Sequence, residues 1–339
     1  MQNLPKHILV IRLSAMGDVA MSIPVLRAFT QQNPDVKLTI LTREFFKPFF
    51  RDLPNVSVFA TDVKGRHKGI FGLYRLSKEL KKLNIDAVSD LHNVLRSNIL
   101  KFFLSSSPFF QIDKGRAQKN ALVSGDNFKQ LKTTHKRYVE VFEKLGFKID
   151  LTKTTFPEAK LLNEKTLKIT ESKNSKWIGI APFAAYKSKM YPLDKMVDVI
   201  DALSKDYKIF LFGGGDKEIL FLQPLADTYK NVINLAGKLT LEQELDVISN
   251  LDVMLSMDSG NGHLAAMFGK KVITVWGVTH PFAGFTPFNQ PENHQLLSDR
   301  EKFPKIPTSI YGNKFPEEYE QAAGSILPEE IVSKIKEEI

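Results

Sequence analysis

Residues 253–278 read VMLSMDSGNGHLAAMFGKKVITVWGV, and their pattern is the strongest indication of the fold class. Residues 253–257 form an apolar run that ends at Asp258, after which apolar residues recur at helical spacing as far as Gly269. Residues 272–276 form a second apolar run. We therefore predict a strand, a tight turn, a helix and another strand, which is the unit that builds parallel α/β sheets.

The turn in this stretch has the composition of a ligand site. Two glycines allow a ligand to approach the backbone closely, and the free N–H groups of a starting helix favour an anion. A carboxylate beside such an anion site suits sugar hydroxyls, and a histidine in the first helical turn adds a donor. An Asp-Ser-Gly turn is equally an ordinary helix N-cap. On the functional interpretation, half of a nucleotide-sugar site is formed here by Asp258, Ser259, Gly260, Asn261, Gly262 and His263.

The same alternation of strand and helix runs through the whole chain of 339 residues. This predicts two doubly wound parallel-sheet domains. Residues 149–175 are polar without clear periodicity, so the domain boundary is placed there. The predicted segments are an N-terminal domain, a C-terminal domain and a final helix, covering 1–165, 166–325 and 326–339.

Charge divides the chain unevenly. Residues 1–150 contain 25 Lys and Arg against 13 Asp and Glu, a net charge of +12, whereas the remainder carries −3. A basic first half favours an anionic partner, and nucleic acid, an anionic lipid surface or a phosphorylated glycan would each serve. No signature of a nucleic-acid-binding module is visible.

Cysteine is absent, which excludes a disulfide framework and thiolate chemistry, and no apolar run is long enough to span a membrane. We expect a cytoplasmic protein.

Several turns follow predicted strands, where ligands bind in such sheets. Asp18 begins a helix there, and is either a helix cap or a carboxylate able to take a proton from an attacking hydroxyl. Lys189 precedes a helix and is either a solvated lysine or a point charge for a leaving phosphate. His92 is either a donor in the cleft or a satisfied turn residue. The basic run at 64–68 either is solvated or meets an anionic acceptor.

Two absent motifs narrow the chemistry. No G-x-G-x-x-G follows the first strand, and the glycines at 213–215 lack that spacing, which disfavours a nicotinamide dehydrogenase. No D-x-D occurs anywhere, so the usual carboxylate pair that holds a divalent metal in many nucleotide-sugar enzymes is missing. We therefore expect neither a cofactor nor a strict metal requirement, with lysine and helix N-termini supplying the neutralising charge.

Three motifs, in order, resemble those of glycosyltransferase family 9, the ADP-heptose:lipopolysaccharide heptosyltransferases. Residues 12–19 (RLSAMGDV) resemble its opening motif, and residues 258–263 match its D-[ST]-G-x-x-H. Residues 189–192 (KMYP) resemble its K-x-W-P, with Tyr191 where tryptophan is common. Asp90-Leu91-His92 with Arg96-Ser97 fits its first-domain pattern. The resemblance extends from about residue 7 to the final helix.

The resemblance implies the GT-B fold, in which two Rossmann-like domains face a central cleft and the last helix packs back towards the first domain. It implies inverting transfer of heptose from ADP-heptose to an anionic inner-core lipopolysaccharide acceptor. Asp18 is then the general base, and Lys189 sits on the donor phosphates. Donor contacts are expected from residues 258–263 with Gly214 and Glu218. Acceptor contacts are expected from Ser14, Met16, Gly17, Lys64, Arg66, Lys68, His92 and Arg96.

The partners expected on this basis are a nucleotide sugar and an anionic glycolipid, with peripheral contact at the cytoplasmic face of the inner membrane and no nucleic acid. Ala184 and Ala185 replace hydroxyl residues found in some members, so the donor sugar is less well specified than the fold. Two alternatives stay open. One is a GT-B transferase or epimerase that uses a UDP-sugar, and the other is a non-catalytic nucleic-acid-binding protein.

Overall fold

The computed structural model describes residues 4–339, which divide into two compact units. Unit 1 contains the chain up to Lys114 together with Thr134–Phe156, and unit 2 contains Gly115–Thr133 and Pro157–Ile339. On these bounds unit 1 carries a net charge of +10 and unit 2 a net charge of −1. The charge asymmetry expected from the sequence therefore coincides with the structural division.

Eleven strands and eleven α-helices are formed by the described residues. The strands are β1 (His7–Ile11), β2 (Lys37–Thr42), β3 (Val56–Ala60), β4 (Ala87–Asp90), β5 (Phe109–Gln111), β6 (Trp177–Ala181), β7 (Lys208–Leu211), β8 (Val232–Asn234), β9 (Val253–Met257), β10 (Lys271–Trp276) and β11 (Gln295–Leu297). The helices are α1 (Met16–Gln32), α2 (Gly69–Lys81), α3 (Leu95–Phe103), α4 (Arg116–Ser124), α5 (Thr134–Glu143), α6 (Glu164–Thr170), α7 (Leu193–Ser204), α8 (Asp216–Thr228), α9 (Leu241–Asn250), α10 (Gly260–Ala266) and α11 (Pro328–Glu338).

Unit 1 is built on a five-stranded parallel sheet in the order β3-β2-β1-β4-β5. Central strand β1 has the sequence HILVI and is almost wholly buried, as expected for a strand covered on both faces. Helices α2 and α3 cover part of the sheet with leucines such as Leu73, Leu76 and Leu100. The pairing of β1 with β4 sets Ile11 beside Asp90, so the turns after these two strands emerge together.

Unit 2 is built on a six-stranded parallel sheet in the order β11-β10-β9-β6-β7-β8. The predicted strands around the 253–278 stretch are confirmed as β9 and β10, and β9 pairs with both β10 and β6. Strand β11 lies in a region for which the sequence predicts long loops. Two parallel sheets with helical crossovers confirm the predicted α/β class.

The observed division differs from the predicted segments in three places. Residues 157–165 belong to unit 2 and not to the N-terminal domain, so the boundary falls earlier than predicted. Residues 115–133 belong to unit 2, where the Leu131 N–H donates to the Phe282 carbonyl at 2.9 Å and the Lys119 amine lies 4.1 Å from the Phe285 ring. Helix α11 packs against α7, β9 and β10 of unit 2, because Ile331 and Ile335 are fully buried in that core. The sequence predicts this helix as a separate segment that packs back towards the first domain, and that direction stays a prediction.

Burial gives Glu244, in the first half of α9, a pKa raised to about 7. An acid whose pKa is raised by folding binds more protons folded than unfolded, so stability falls as the pH rises between about 4.5 and 7. The free energy of unfolding of the natural chain should therefore fall between pH 5 and pH 8, and that of Glu244→Gln should not fall for this reason. We expect the difference in unfolding free energy, variant minus natural chain, to be about 1–2 kcal/mol larger at pH 8 than at pH 5, after allowance for partial solvent exposure. Urea unfolding at both pH values measures this, and an equal difference at the two pH values would contradict it.

Candidate active site

The turn after β1 holds Asp18 in place. Helix α1 begins at Met16, so Asp18 is the third residue of the helix, and its Oδ2 accepts the Ala15 N–H at 3.2 Å. This is a helix-capping contact, as the alternative interpretation expects. The same oxygen is 2.5 Å from the Arg12 guanidinium. The side chain of Asp18 is 31 % exposed and that of Arg12 only 7 %, so the carboxylate bridges a buried cation and solvent.

Two buried side chains, Arg12 and Tyr138, hold this turn in position. One Arg12 nitrogen donates to the Leu91 carbonyl at 2.6 Å, and the guanidinium carbon lies 5.9 Å from the centre of the Tyr138 ring. The fully buried Tyr138 hydroxyl donates to the Asp18 carbonyl at 3.2 Å. The position of Asp18 is therefore set by its side chain and by its backbone. Neither Arg12 nor Tyr138 was among the predicted site residues, although Arg12 opens the quoted motif.

His92 lies beside the Asp18 turn because β4 neighbours β1. Its Nε2 is 3.4 Å from the Ser14 hydroxyl, and the backbone N–H groups of His92 and Asn93 both donate to the Asp90 carboxylate at 2.9 Å. Burial, with a smaller effect of the Arg12 charge, lowers the pKa of His92 to about 3. The imidazole is therefore neutral at physiological pH, and its buried Nδ1 has no hydrogen-bond partner among the described residues.

The basic turn between β3 and α2 is organised around Asp62. The carboxylate accepts backbone N–H groups from Lys64 and Arg66, at 3.1 Å each, and from the glycine between them. Arg66 forms an ion pair with Glu79 on α2, whereas Lys64 and Lys68 are exposed. The Asp62 carboxylate thus fixes the backbone that carries Lys64, Arg66 and Lys68, and the contact of these cations with an acceptor stays a prediction.

The predicted donor residues converge at the carboxyl edge of the unit 2 sheet. Lys189 follows β6, Asp258 follows the neighbouring strand β9, and the Lys189 amine is 2.9 Å from Asp258 Oδ2. The side chains are only 13 % and 9 % exposed. The Thr279 hydroxyl, which follows β10, donates to the same carboxylate oxygen at 2.8 Å. A nearly buried cation and anion thus occupy the position where ligands bind in such sheets.

Two glycines allow the Lys189 loop to come this close. A Cβ on Gly277 would collide with the Ser188 carbonyl, which accepts the Val278 N–H at 3.0 Å. Gly312 has a φ of +77°, and a Cβ there would lie 2.5 Å from the Lys189 Cγ. The aliphatic part of the Lys189 side chain is therefore packed against the backbone at Gly312, and this packing directs its amine towards Asp258.

The Asp258 turn contains a glycine that is needed for packing. A Cβ on Gly262 would lie 2.6 Å from the Ser256 hydroxyl, so this glycine lets α10 approach β9. The Ser259 hydroxyl is buried and has no partner among the described residues. His263 is buried in α10, while Gly260 and Asn261 are partly exposed at its start.

Glu218 of α8 reaches back to the turn after β7. Its Oε2 accepts the Gly214 N–H at 2.7 Å, and this contact holds the glycine turn closed. A Cβ on Gly214 would meet no atom within 4 Å, so space is open on that side of the turn. The structure therefore brings Gly214 and Glu218 together, and their donor role stays a prediction.

Unit 2 also has a cavity of about 540 Å³ between α4 and the loop at 304–316. Three cations line it, namely Arg300, Lys305 and Lys314. Arg300 stacks its guanidinium 3.7 Å from the centre of the Phe128 ring and donates to the Ile306 carbonyl at 2.9 Å. Nothing in the sequence marked this cavity, because residues about 180 apart form it.

No group of three or more His, Asp or Glu able to hold a metal ion is found within residues 4–339. None of the helices in this part of the chain is long and apolar enough to cross a membrane.

Comparison with known proteins agrees with the fold. The family model described as glycosyltransferase family 9 (heptosyltransferase) matches residues 73–312. Lipopolysaccharide heptosyltransferase 1 of Campylobacter coli is 28 % identical over 80 % of this chain and 84 % of its own length. Lipooligosaccharide heptosyltransferase 2 of Haemophilus ducreyi is 25 % identical over 97 % of this chain and 98 % of its own.

Two solved structures show the same fold over nearly the whole chain. The family 9 glycosyltransferase of Veillonella parvula superposes with a TM-score of 0.76 at 21 % identity, covering 99 % of this chain and 98 % of that one. The E. coli heptosyltransferase WaaC with ADP gives a TM-score of 0.69 at 20 % identity, covering 98 % and 100 %. Because the family model spans well over half of the sequence, this chain belongs to glycosyltransferase family 9, the heptosyltransferase family, and is a glycosyltransferase.

Proposed function

We propose that this glycosyltransferase moves a heptose from ADP-heptose to an anionic inner-core sugar of lipopolysaccharide. The observation that carries the proposal is the family match over residues 73–312, which includes the Asp258 turn and Lys189. The names of its relatives support the choice of sugar and acceptor, since they include lipopolysaccharide and lipooligosaccharide heptosyltransferases.

The donor side of the reaction is assigned to unit 2. Lys189 and Asp258 form a nearly buried ion pair at the sheet edge, 2.9 Å apart. When the donor pyrophosphate enters, the Lys189 amine donates to a phosphate oxygen, either in place of the Asp258 carboxylate or in addition to it. The Asp258 carboxylate can then accept hydrogen bonds from sugar hydroxyls. As ADP leaves, the amine stabilises the charge that develops on the phosphate oxygen.

The acceptor side is assigned to unit 1. An acceptor hydroxyl attacks the anomeric carbon, the bond from that carbon to the phosphate oxygen breaks, and the hydroxyl proton passes to Asp18. A single displacement of this kind inverts the anomeric configuration. Asp18 suits the task because it is partly exposed and is held by Arg12 and by the Ala15 N–H through one oxygen. The net charge of +10 on unit 1 favours an anionic acceptor.

The test is a transfer assay with a panel of donors and with inner-core acceptors. We expect transfer from ADP-heptose, with release of ADP and no transfer from UDP- or GDP-sugars. ADP should raise the melting temperature more than UDP or GDP, because a ligand that binds the folded state stabilises it by mass action. Transfer from a UDP-sugar alone would overturn the assignment of the donor.

The same assay examines the metal expectation. Because the chain has no D-x-D, transfer should persist with EDTA present. Activity that is lost in EDTA and restored by magnesium or manganese would contradict that expectation while leaving the identity of the donor intact.

The proposed acceptor is a glycolipid, so we also propose that the enzyme works at the cytoplasmic face of the inner membrane, in peripheral contact with it.

A further inference from the structure

Large apolar side chains are exposed together on two neighbouring helices of unit 1. Phe71 is 90 % exposed and Phe102 77 %, which is far more than packing into a core would leave. Helices α2 and α3 contact each other through their inner faces, where leucines such as Leu76 and Leu100 are buried. We call their outer surface the α2–α3 face. Its exposed apolar members are Ile70, Phe71, Tyr74, Leu95 and Phe102.

Ring contacts and helical spacing connect these residues. Phe71 and Tyr74 are three residues apart on α2, so they are neighbours on one side of that helix. The Tyr74 ring lies 5.4 Å from the Phe103 ring of α3, which lies 5.6 Å from the Phe102 ring. Leu95 is seven residues before Phe102 and therefore shares its side of α3. Scattered exposed apolar residues are normal, but a connected group is typical of an interaction surface.

Cations surround this group. The two helices carry five Lys or Arg and a single acid, Glu79, which is already paired with Arg66 and His67. Lys78 lies 5.2 Å from the Tyr74 ring, and Lys101 lies 5.9 Å from the Phe109 ring. The exposed Lys64 and Lys68 of the basic turn directly precede α2. Aromatic and aliphatic side chains among cations are the composition of surfaces that bind the interface of an anionic membrane.

We propose that the α2–α3 face docks on an anionic lipid bilayer, with Phe71 and Phe102 inserted among the headgroups and the surrounding cations on lipid phosphates. The inference rests on the proposed function, because an enzyme that glycosylates a glycolipid must meet its acceptor at a bilayer. Charge favours this occupant over a second copy of the chain, since pairing two such faces would bring together two units of net charge +10. The apolar members of the face, Phe71 and Phe102 among them, are not among the residues expected to contact the donor or the acceptor.

The experiment is cosedimentation of the full chain with vesicles. One set contains phosphatidylethanolamine with phosphatidylglycerol, and the other contains phosphatidylcholine alone. The test variant is Phe71→Ser with Phe102→Ser. The matched control is Leu161→Ser with Leu220→Ser in unit 2. These two leucines are 96 % and 73 % exposed, which is close to the exposure of the two phenylalanines.

The natural chain should bind the anionic vesicles, and less so at high salt, and should not bind phosphatidylcholine. The double phenylalanine variant should partition about tenfold more weakly, with an unchanged melting temperature, while the leucine control binds like the natural chain. Equal binding by the phenylalanine variant, or no vesicle binding by the natural chain, would overturn the proposal. So would loss of self-association in the variant with vesicle binding retained, because the face would then be a dimer contact.

A parallel assay separates this proposal from the proposed function. With a soluble, lipid-free inner-core acceptor, the phenylalanine variant should transfer heptose at the natural rate, and with the acceptor embedded in vesicles it should be slower. If neither protein transfers heptose to the soluble acceptor, the proposed function fails while the vesicle-binding result still decides the docking face. If both transfer and the embedded acceptor is used equally well, the docking face fails alone.

Discussion

Asp18→Asn should lower kcat by roughly 10²–10⁴-fold while leaving ADP binding nearly unchanged. The amide oxygen of asparagine can still accept the Ala15 N–H, so the contact that caps α1 survives the change. Asparagine cannot take a proton from the acceptor hydroxyl. The nearly buried Arg12 loses its counter-charge, which should cost about 1–2 kcal/mol of unfolding free energy. Single-turnover transfer rates, ADP titration and thermal unfolding measure the three effects separately.

Asp150 provides a matched control for this experiment. It belongs to unit 1, and its carboxylate accepts the Thr152 N–H at 3.0 Å in a capping contact at the start of a short 3₁₀ turn. Asp150→Asn removes a negative charge and keeps a cap, as Asp18→Asn does, but it should leave kcat unchanged. If both variants turn over at near-natural rates, Asp18 is a helix cap and the assignment of the general base is wrong.

The fold was predictable because it depends on local patterns that repeat. Strands such as β1 and β9 are mostly continuous apolar runs, and β9 is followed at once by the polar residues Asp258 and Ser259, which mark its end. Residues 115–133 were not predictable as part of unit 2. Leu131 and Phe282 are about 150 residues apart, and no local pattern indicates that their backbones pair. Strand β11 has three residues, too few to show an alternation.

The candidate site was predictable in its carboxylates and its lysine, and not in the residues that hold them. Asp18, Lys189 and Asp258 follow strands and stand within motifs, so position and chemistry both single them out. Thr279 also follows a strand, β10, and the rule that ligands bind at the carboxyl edge would have found it. Tyr138 lies on α5, far along the chain from Asp18, and only the packed structure brings its hydroxyl to the Asp18 carbonyl.

The ion pair of Lys189 with Asp258 has two possible meanings, and a double-mutant cycle separates them. If the amine also contacts the donor phosphates, Lys189→Met should weaken ADP binding by roughly 10- to 150-fold, the loss of a charge-assisted hydrogen bond. Methionine retains most of the stem that packs against Gly312. The variant should also lose about 2–3 kcal/mol of unfolding free energy, because Asp258 would keep a nearly buried charge without its cation.

Adding Asp258→Asn to Lys189→Met removes that uncompensated charge. The double variant should recover most of the lost stability, since an amide and a thioether leave no buried ion, and Thr279 can still donate to the amide oxygen. ADP binding should stay weak, because nothing replaces the amine at the phosphates. Calorimetric titration with ADP and urea unfolding of all four proteins measure the cycle. If ADP affinity recovers together with stability, the lysine acts only as the structural partner of Asp258, and the donor phosphates must be bound elsewhere on the sheet edge.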